Sequence, residues 1–269
     1  MRIDAHQHFW RYDPARDHWI TDQMSVLKRD YLPEHFPAAG MDATIAIQTV
    51  QNEQETHFLV DLTRFKAHLA AVVGWVDLRG SDVRQRLEYF SQFEKLRGFR
   101  HIAQSEPDDR FLIRSDFLRG VSNLESFDFT YDILIYPSQL PAAAELIARF
   151  PKQRFVIDHL AKPFIKTGET EPWATWMRKI GRFENAFCKL SGLVTEADWA
   201  KWTPADFKPY LDVVFEAFGT DRLMFGSDWP VCLLAASYQQ VKQLIEDYAA
   251  SDQEKIFGLN AALFYGIRP

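Results

Sequence analysis

Short runs of β-branched and apolar residues alternate along this chain with stretches in which apolar residues recur at three- and four-residue spacing. Eight runs read as strands: RIDAHQHF (2–9), ATIAIQTV (43–50), LAAVVGWVDL (69–78), LRGFRHI (96–102), FTYDILIY (129–136), RFVIDHL (154–160), AFCKLSGL (186–193) and RLMFGSDW (222–229). Between them, ETHFLVDLTRFKAHL, SDVRQRLEYFSQFEKL, SQLPAAAELIARF and TPADFKPYLDVVFEAFG carry an apolar stripe of helical period. Start signals support the helices. Thr203 is placed to cap one with Pro204 at its first position, and Ser237 with Gln240 and Ser251 with Glu254 match the reciprocal capping pattern.

Eight strands alternating with helices, in repeats of roughly 25 to 40 residues, predict an α/β fold of the parallel (β/α)8 TIM-barrel type, with residues 1–269 as a single domain. The competing arrangement is an open, doubly wound sheet. It loses ground because no Gly-x-Gly-x-x-Gly or Walker-type loop follows any strand. Two connections are long: Trp10 to about Gly40, and AKPFIKTGETEPW after the sixth strand. Both leave carboxyl-terminal strand ends, the face on which barrels build their pockets.

Composition then narrows the partners. The chain is 47% hydrophobic and 25% charged with no low-complexity tract, as a globular protein is. The formal net charge of −6 is spread without a basic cluster, which argues against nucleic acid and leaves a small molecule as the expected partner. No apolar run approaches the roughly 20 residues that cross a bilayer, and MRIDAHQHFW lacks a secretory apolar segment, so a cytoplasmic protein without membrane partners is expected. Self-association into a homo-oligomer stays open. Cys188 and Cys232 lie far apart outside any Cys-x-x-Cys pattern; Cys188 reads as a small buried hydrophobe, and Cys232 has no histidine paired with it that would make it a nucleophile.

Candidate chemistry collects at the strand ends. His6 and His8, two apart on the first strand, point the same way, toward the rim of a barrel. Two imidazoles aimed at one spot suit a metal ion or a polarised oxygen, although H-x-H alone also fits a pair of core histidines. His159 ends the sixth strand in FVIDHLAKP, and Asp228 ends the eighth in LMFGSDWPV. Each alone has a structural explanation; their delivery to one rim points to a site.

The motifs DAHQHFW, GFRHI, IDHLAKP and FGSDWP together resemble the amidohydrolase superfamily, specifically its branch of lactonases that includes sugar lactonases and 2-pyrone-4,6-dicarboxylate lactonase. The resemblance spans essentially the whole chain. It implies hydrolysis of a small sugar-acid lactone, such as an L-fucono- or L-rhamnono-lactone, to the aldonic acid. By this resemblance His6 and His8 match the first-strand pair, His159 the sixth-strand histidine, and Asp228 the eighth-strand aspartate that deprotonates water.

The chain departs from the superfamily's binuclear pattern. The fourth strand ends in Arg100-His101 rather than in a bridging Lys or Glu, and the fifth, FTYDILIY, has no histidine. A two-metal site is therefore not expected. A single zinc or other divalent ion on His6, His8 and Asp228, with His159 as a further ligand, is chemically competent. The branch nevertheless implies turnover with no cofactor required, His6, His8 and His159 polarising the lactone carbonyl while Asp228 acts as general base. The alternative is a zinc-dependent decarboxylase or hydrolase of the same superfamily acting on an unsaturated or aromatic carboxylic acid; a non-catalytic barrel is a third reading.

Around this centre, Arg100 and His101 are candidates to bind the ring oxygen, a hydroxyl or the product carboxylate. Lys189 is expected inward on the seventh strand, where a buried ammonium requires a polar partner. Lys162 could face the pocket, and Trp10, Trp19 and Trp229 could stack on a sugar ring. Asp13 and His18, in the long first loop, are weaker candidates for polar contacts.

Overall fold

A computed structural model describes residues 1–249 and 251–268. Eight parallel strands form a barrel in sequence order: β1 (Ile3–Gln7), β2 (Ala43–Ile47), β3 (Leu69–Gly74), β4 (Leu96–His101), β5 (Thr130–Ile133), β6 (Phe155–Ile157), β7 (Ala186–Leu190) and β8 (Leu223–Phe225). A parallel bridge between Gln7 and Trp229 joins the last strand to the first, reinforced by backbone bonds from Asp228 to His6 and from His8 to Trp229. The helices follow in turn: α1 (Glu53–Thr63), α2 (Val83–Phe90), α3 (Ser115–Val121), α4 (Leu140–Arg149), α5 (Trp173–Ile180), α6 (Leu193–Glu196), α7 (Pro204–Phe218), α8 (Tyr238–Tyr248) and α9 (Asn260–Tyr265). The chain has the TIM-barrel fold in a single domain.

All eight expected strands form, and each is shorter than its apolar run, mostly at the carboxyl end. The run RFVIDHL stops being a strand at Ile157 because His159, Leu160, Ala161 and Lys162 all adopt left-handed backbone, φ 51–57°. Such a conformation disfavours residues with a Cβ, so the surrounding structure must enforce it. Asp228, just after β8, also has a positive φ of 57°. The residues expected to do chemistry thus sit where the ladder has ended and the backbone is free to aim them.

The helix signals divide. Pro204 opens α7 with Thr203 before it, and Ser237 caps α8, its hydroxyl accepting from Gln240 N at 3.3 Å. Ser251 instead gives its hydroxyl to the adjacent Asp252, and a π-helical turn, Lys255–Leu259, follows. No α-helix follows β1. The long segment 10–40 is instead built from short 3-10 turns and tied down by a Trp10–Tyr31 bridge.

Ile3, Ala5, Ile45, Ile47, Val73 and Met224 form one buried apolar cluster with Phe264 and Tyr265 of α9. A one-residue register shift of β1 on β2 between Asp4 and Gln7 matters more for function. It lets Asp4 bond Tyr238 on α8 while His6 turns into the barrel. No helix among the described residues is long and apolar enough to cross a membrane.

Candidate active site

His6, His8, His159 and Asp228 converge at the carboxyl-terminal mouth of the barrel, where all four are buried. Asp228 Oδ1 is 3.2 Å from His8 Nε2, 3.8 Å from His6 Nε2 and 4.0 Å from His159 Nε2. The far nitrogen of each ring is committed elsewhere. His8 Nδ1 lies 2.8 Å from the Ile47 carbonyl, which can only accept, so that nitrogen carries the proton. His6 Nε2 lies 3.3 Å from Arg100 Nη1, while its Nδ1 lies 3.4 Å from Asp158 Oδ1 and 3.3 Å from Lys189 Nζ. His159 Nδ1 meets the Ser191 hydroxyl at 2.9 Å.

His8 Nε2 therefore presents a lone pair to the Asp228 carboxylate. A lone pair aimed at an anion calls for a cation between them. The donor set fits a divalent metal in kind: His6, His159 and Asp228 offer two imidazole nitrogens and a carboxylate oxygen all within 4.8 Å of one another. Charge states agree. Burial pushes the His159 imidazole down to about 4, against the pull of Asp228 and Asp158, and burial likewise lowers His6. Burial alone would raise Asp228, but the imidazoles around it, His159 first, outweigh burial and hold the carboxyl well below its ordinary range. Neutral imidazoles and an ionised carboxylate are the forms that bind metal.

Two glycines make room for the rings. A Cβ on Gly192 would lie 2.5 Å from His159 Nδ1, and one on Gly226 would lie 2.5 Å from His6 Cβ. Gly192 also has a φ of +64°. Gly192→Ala is expected to displace the His159 ring and weaken zinc binding about tenfold or more, by analogy with loss of any ligand-orienting contact. A competition titration against a chromogenic chelator measures it; unchanged affinity would mean the ring has another place to go.

Beneath His6 lies a wholly buried charge network. Lys189 Nζ is 2.5 Å from Asp132 Oδ2, 3.0 Å from Asp158 Oδ1 and 3.3 Å from His6 Nδ1. Arg100 bonds Asp158, His6, and the side chain and carbonyl of Gln48, five hydrogen bonds in all. Tyr265 from α9 donates to Asp132 at 2.8 Å.

Above it opens a cavity of about 190 Å³. Its polar lining includes His8, Thr49, Gln104, Ser105 and Lys162; Trp19, Ile102, Leu134 and Val231 supply apolar wall. Trp19 and Lys162 are therefore at the cavity, and Arg100 borders it with its donors already used. Lys189 is out of reach beneath His6. His101, on the opposite face of β4 from Arg100, stacks on Phe111 and bonds Glu106 at 2.7 Å. Trp10 is buried, donating to the Arg29 carbonyl, and Trp229 is buried among Phe9, Tyr31 and Phe36. Asp13 and Asp17 brace the first loop by bonding its own backbone. Both cysteines are buried and unpaired. Sequence reasoning missed Gln48, Asp132, Asp158, Ser191 and Gly192; of these Asp158 carried a signal, an acid inside the apolar run FVIDHL.

The chain belongs to the amidohydrolase family, which it matches over residues 3–267. It is 42% identical to an L-fucono-1,5-lactonase of Burkholderia multivorans, over 99% of this chain and 96% of that protein. A second L-fucono-1,5-lactonase, from Burkholderia ambifaria, is 33% identical over 99% of this chain and 96% of its own length. A crystal structure of an amidohydrolase from Burkholderia multivorans with bound zinc superposes with a TM-score of 0.96 at 42% identity, each chain covered in full.

That zinc corrects one expectation from the sequence, a centre with no cofactor required. The zinc of so similar a structure and the cluster of His6, His159 and Asp228 in this chain both contradict it. The physical reason lies in His8: with its proton on the Ile47 carbonyl it has no donor for a lactone oxygen, and a metal-free polarising site requires donors.

Proposed function

We propose that this chain is a zinc-binding lactonase that opens a small sugar lactone, L-fucono-1,5-lactone in the first instance, to the aldonic acid. The observation that carries the reading is the convergence of three Nε2 atoms on Asp228 at the floor of the cavity, in a chain 42% identical to an L-fucono-1,5-lactonase.

His6, His159 and Asp228 would hold the ion, with His8 beside them. Bound there, zinc supplies Lewis acidity toward the lactone carbonyl oxygen. Asp228, ionised at any working pH, accepts a proton from the attacking water. His8, fixed by Ile47, has its Nε2 free to accept from that water or from a substrate hydroxyl. Trp19 offers a flat apolar face to the ring while Thr49, Gln104 and Ser105 bond hydroxyls. Lactones suit this equipment because an ester carbonyl requires less activation than an amide. The decarboxylase alternative finds no free guanidinium in Arg100, whose donors are spent, and Lys162 is the other cation lining the cavity.

A pH-indicator assay over a panel of 1,4- and 1,5-aldonolactones tests the reading, with metal content measured on the same preparation. Acid release from at least one deoxysugar lactone and about one zinc per chain are expected. No acid release from any lactone by zinc-loaded protein would sink the proposal. Trp19→Ala is expected to raise KM several-fold with a smaller change in kcat, since stacking binds ground and transition state alike. Equal loss in both would place Trp19 closer to the chemistry.

A further inference from the structure

Hydrolysis of a lactone changes the charge of what the cavity holds. Water oxygen bonds the carbonyl carbon, the ring C–O bond breaks, the ring oxygen leaves with a proton, and the new carboxylic acid loses its own proton to solvent. A neutral substrate becomes an anion. The new charge calls for a cation at the cavity wall.

Two permanently charged cations line the cavity. Arg100 is turned inward, holding Gln48, Asp158 and His6. Lys162 is different. Its ammonium makes no hydrogen bond among the described residues; its partner Glu196, at the end of α6, stands off at 3.6 Å, and the ring of Tyr136 lies 5.6 Å away. Both side chains of the pair are partly exposed, 19% and 23%.

The backbone of Lys162 is fixed even though its head is free. It closes the left-handed turn that carries His159, donating its N–H to the His159 carbonyl at 2.7 Å, with φ 51°. Pro163, buried, follows directly. The turn therefore sets Lys162 and His159 in one rigid relation, so a lysine rooted beside the reacting centre reaches over it with its donors unspent.

We infer that Lys162 and Glu196 form a switchable anchor for the anionic aldonate product, the carboxylate of the product and that of Glu196 competing for one ammonium. The inference rests on the lactonase reading and deepens it. Lys162 attracts the product carboxylate, and Glu196 limits that attraction so that product leaves.

Product inhibition reads this directly. With zinc-loaded protein, L-fucono-1,5-lactone as substrate and its aldonate as inhibitor, Lys162→Met is expected to raise the ratio of product Ki to KM at least fivefold. Glu196→Gln is expected to lower it about threefold. In the wild-type chain, Ki should rise with ionic strength between 20 and 500 mM salt while KM for the neutral lactone stays flat, on the order of the screening of one exposed charge pair. The salt series requires no variant to fold. Lactone turnover with Ki and KM moving together, or with neither responding to salt or to Glu196→Gln, overturns the anchor and leaves the lactonase reading intact. Absence of any lactone turnover overturns both.

Discussion

Asp228→Asn is expected to reduce kcat on the preferred lactone by a factor of about 10³ or more, equivalent to roughly 4 kcal/mol of barrier, while leaving the fold intact. The amide cannot take a proton from water, and it withdraws the one negative charge from a ring of three imidazoles. Stability should not suffer. Asp228 sits at φ 57°, a region that asparagine tolerates better than most residues, and its backbone N–H to His6 is unaffected. In the metal-free protein, removing a buried charge that faces the His8 lone pair should hold the melting temperature steady or raise it. Turnover and melting measured on one preparation check both halves. Retention of more than a tenth of wild-type kcat would show that some other group takes the proton, and a collapsed melt would show that the charge serves the fold.

The alternation of period-2 and period-3.6 patterns carried the barrel into view, because in a parallel sheet every strand is buried on both faces and stands out as an apolar run. It could not show where strands stop. The left-handed turn from His159 to Lys162 contains no glycine, so nothing local announces it; tertiary contacts impose it, among them Trp173 Nε1 donating to the Leu160 carbonyl at 2.6 Å. Strand alternation, applied strictly, separates Arg100 from His101, and the structure puts them on opposite faces of β4. The same rule fails at β1, where the register shift sends Asp4 outward and His6 inward. The aromatic residues near the rim were legible only as a group: Trp19 reaches the cavity, whereas Trp10 and Trp229 pack the first loop against the barrel. Least legible was the floor of the site. Asp132, Asp158, Gln48 and Lys189 come from four different strands or strand ends, and a buried charge reveals its purpose only beside its partners.

That floor yields the second large effect. Lys189→Met is expected to destabilise the protein by about 3–5 kcal/mol, as removing one partner of a buried ion pair does, which lowers the melting temperature by roughly 10 °C for a chain of this size. The ammonium has no exposed surface and stands between two carboxylates that have none either. Without it, Asp132 keeps only the Tyr265 hydroxyl and Asp158 keeps Arg100 and His6. Burial already raises Asp132 to about 6 in spite of Lys189, and the variant should raise it further. A carboxyl whose folded pKa lies above its unfolded value of ~3.9 binds more protons in the folded state, so stability is gained as pH falls through the folded pKa. The melting deficit of Lys189→Met should therefore be widest well above neutrality and should narrow as pH falls toward about 6, below which Asp132 is protonated in both proteins. Pairing it with Asp132→Asn should recover part of the loss at pH 8, because the substitution removes the charge the lysine had balanced. A deficit under about 2 °C at pH 8, or a double variant less stable than the sum of the singles, would mean that the two carboxylates are balanced by Arg100 and that Lys189 is a spectator beneath His6.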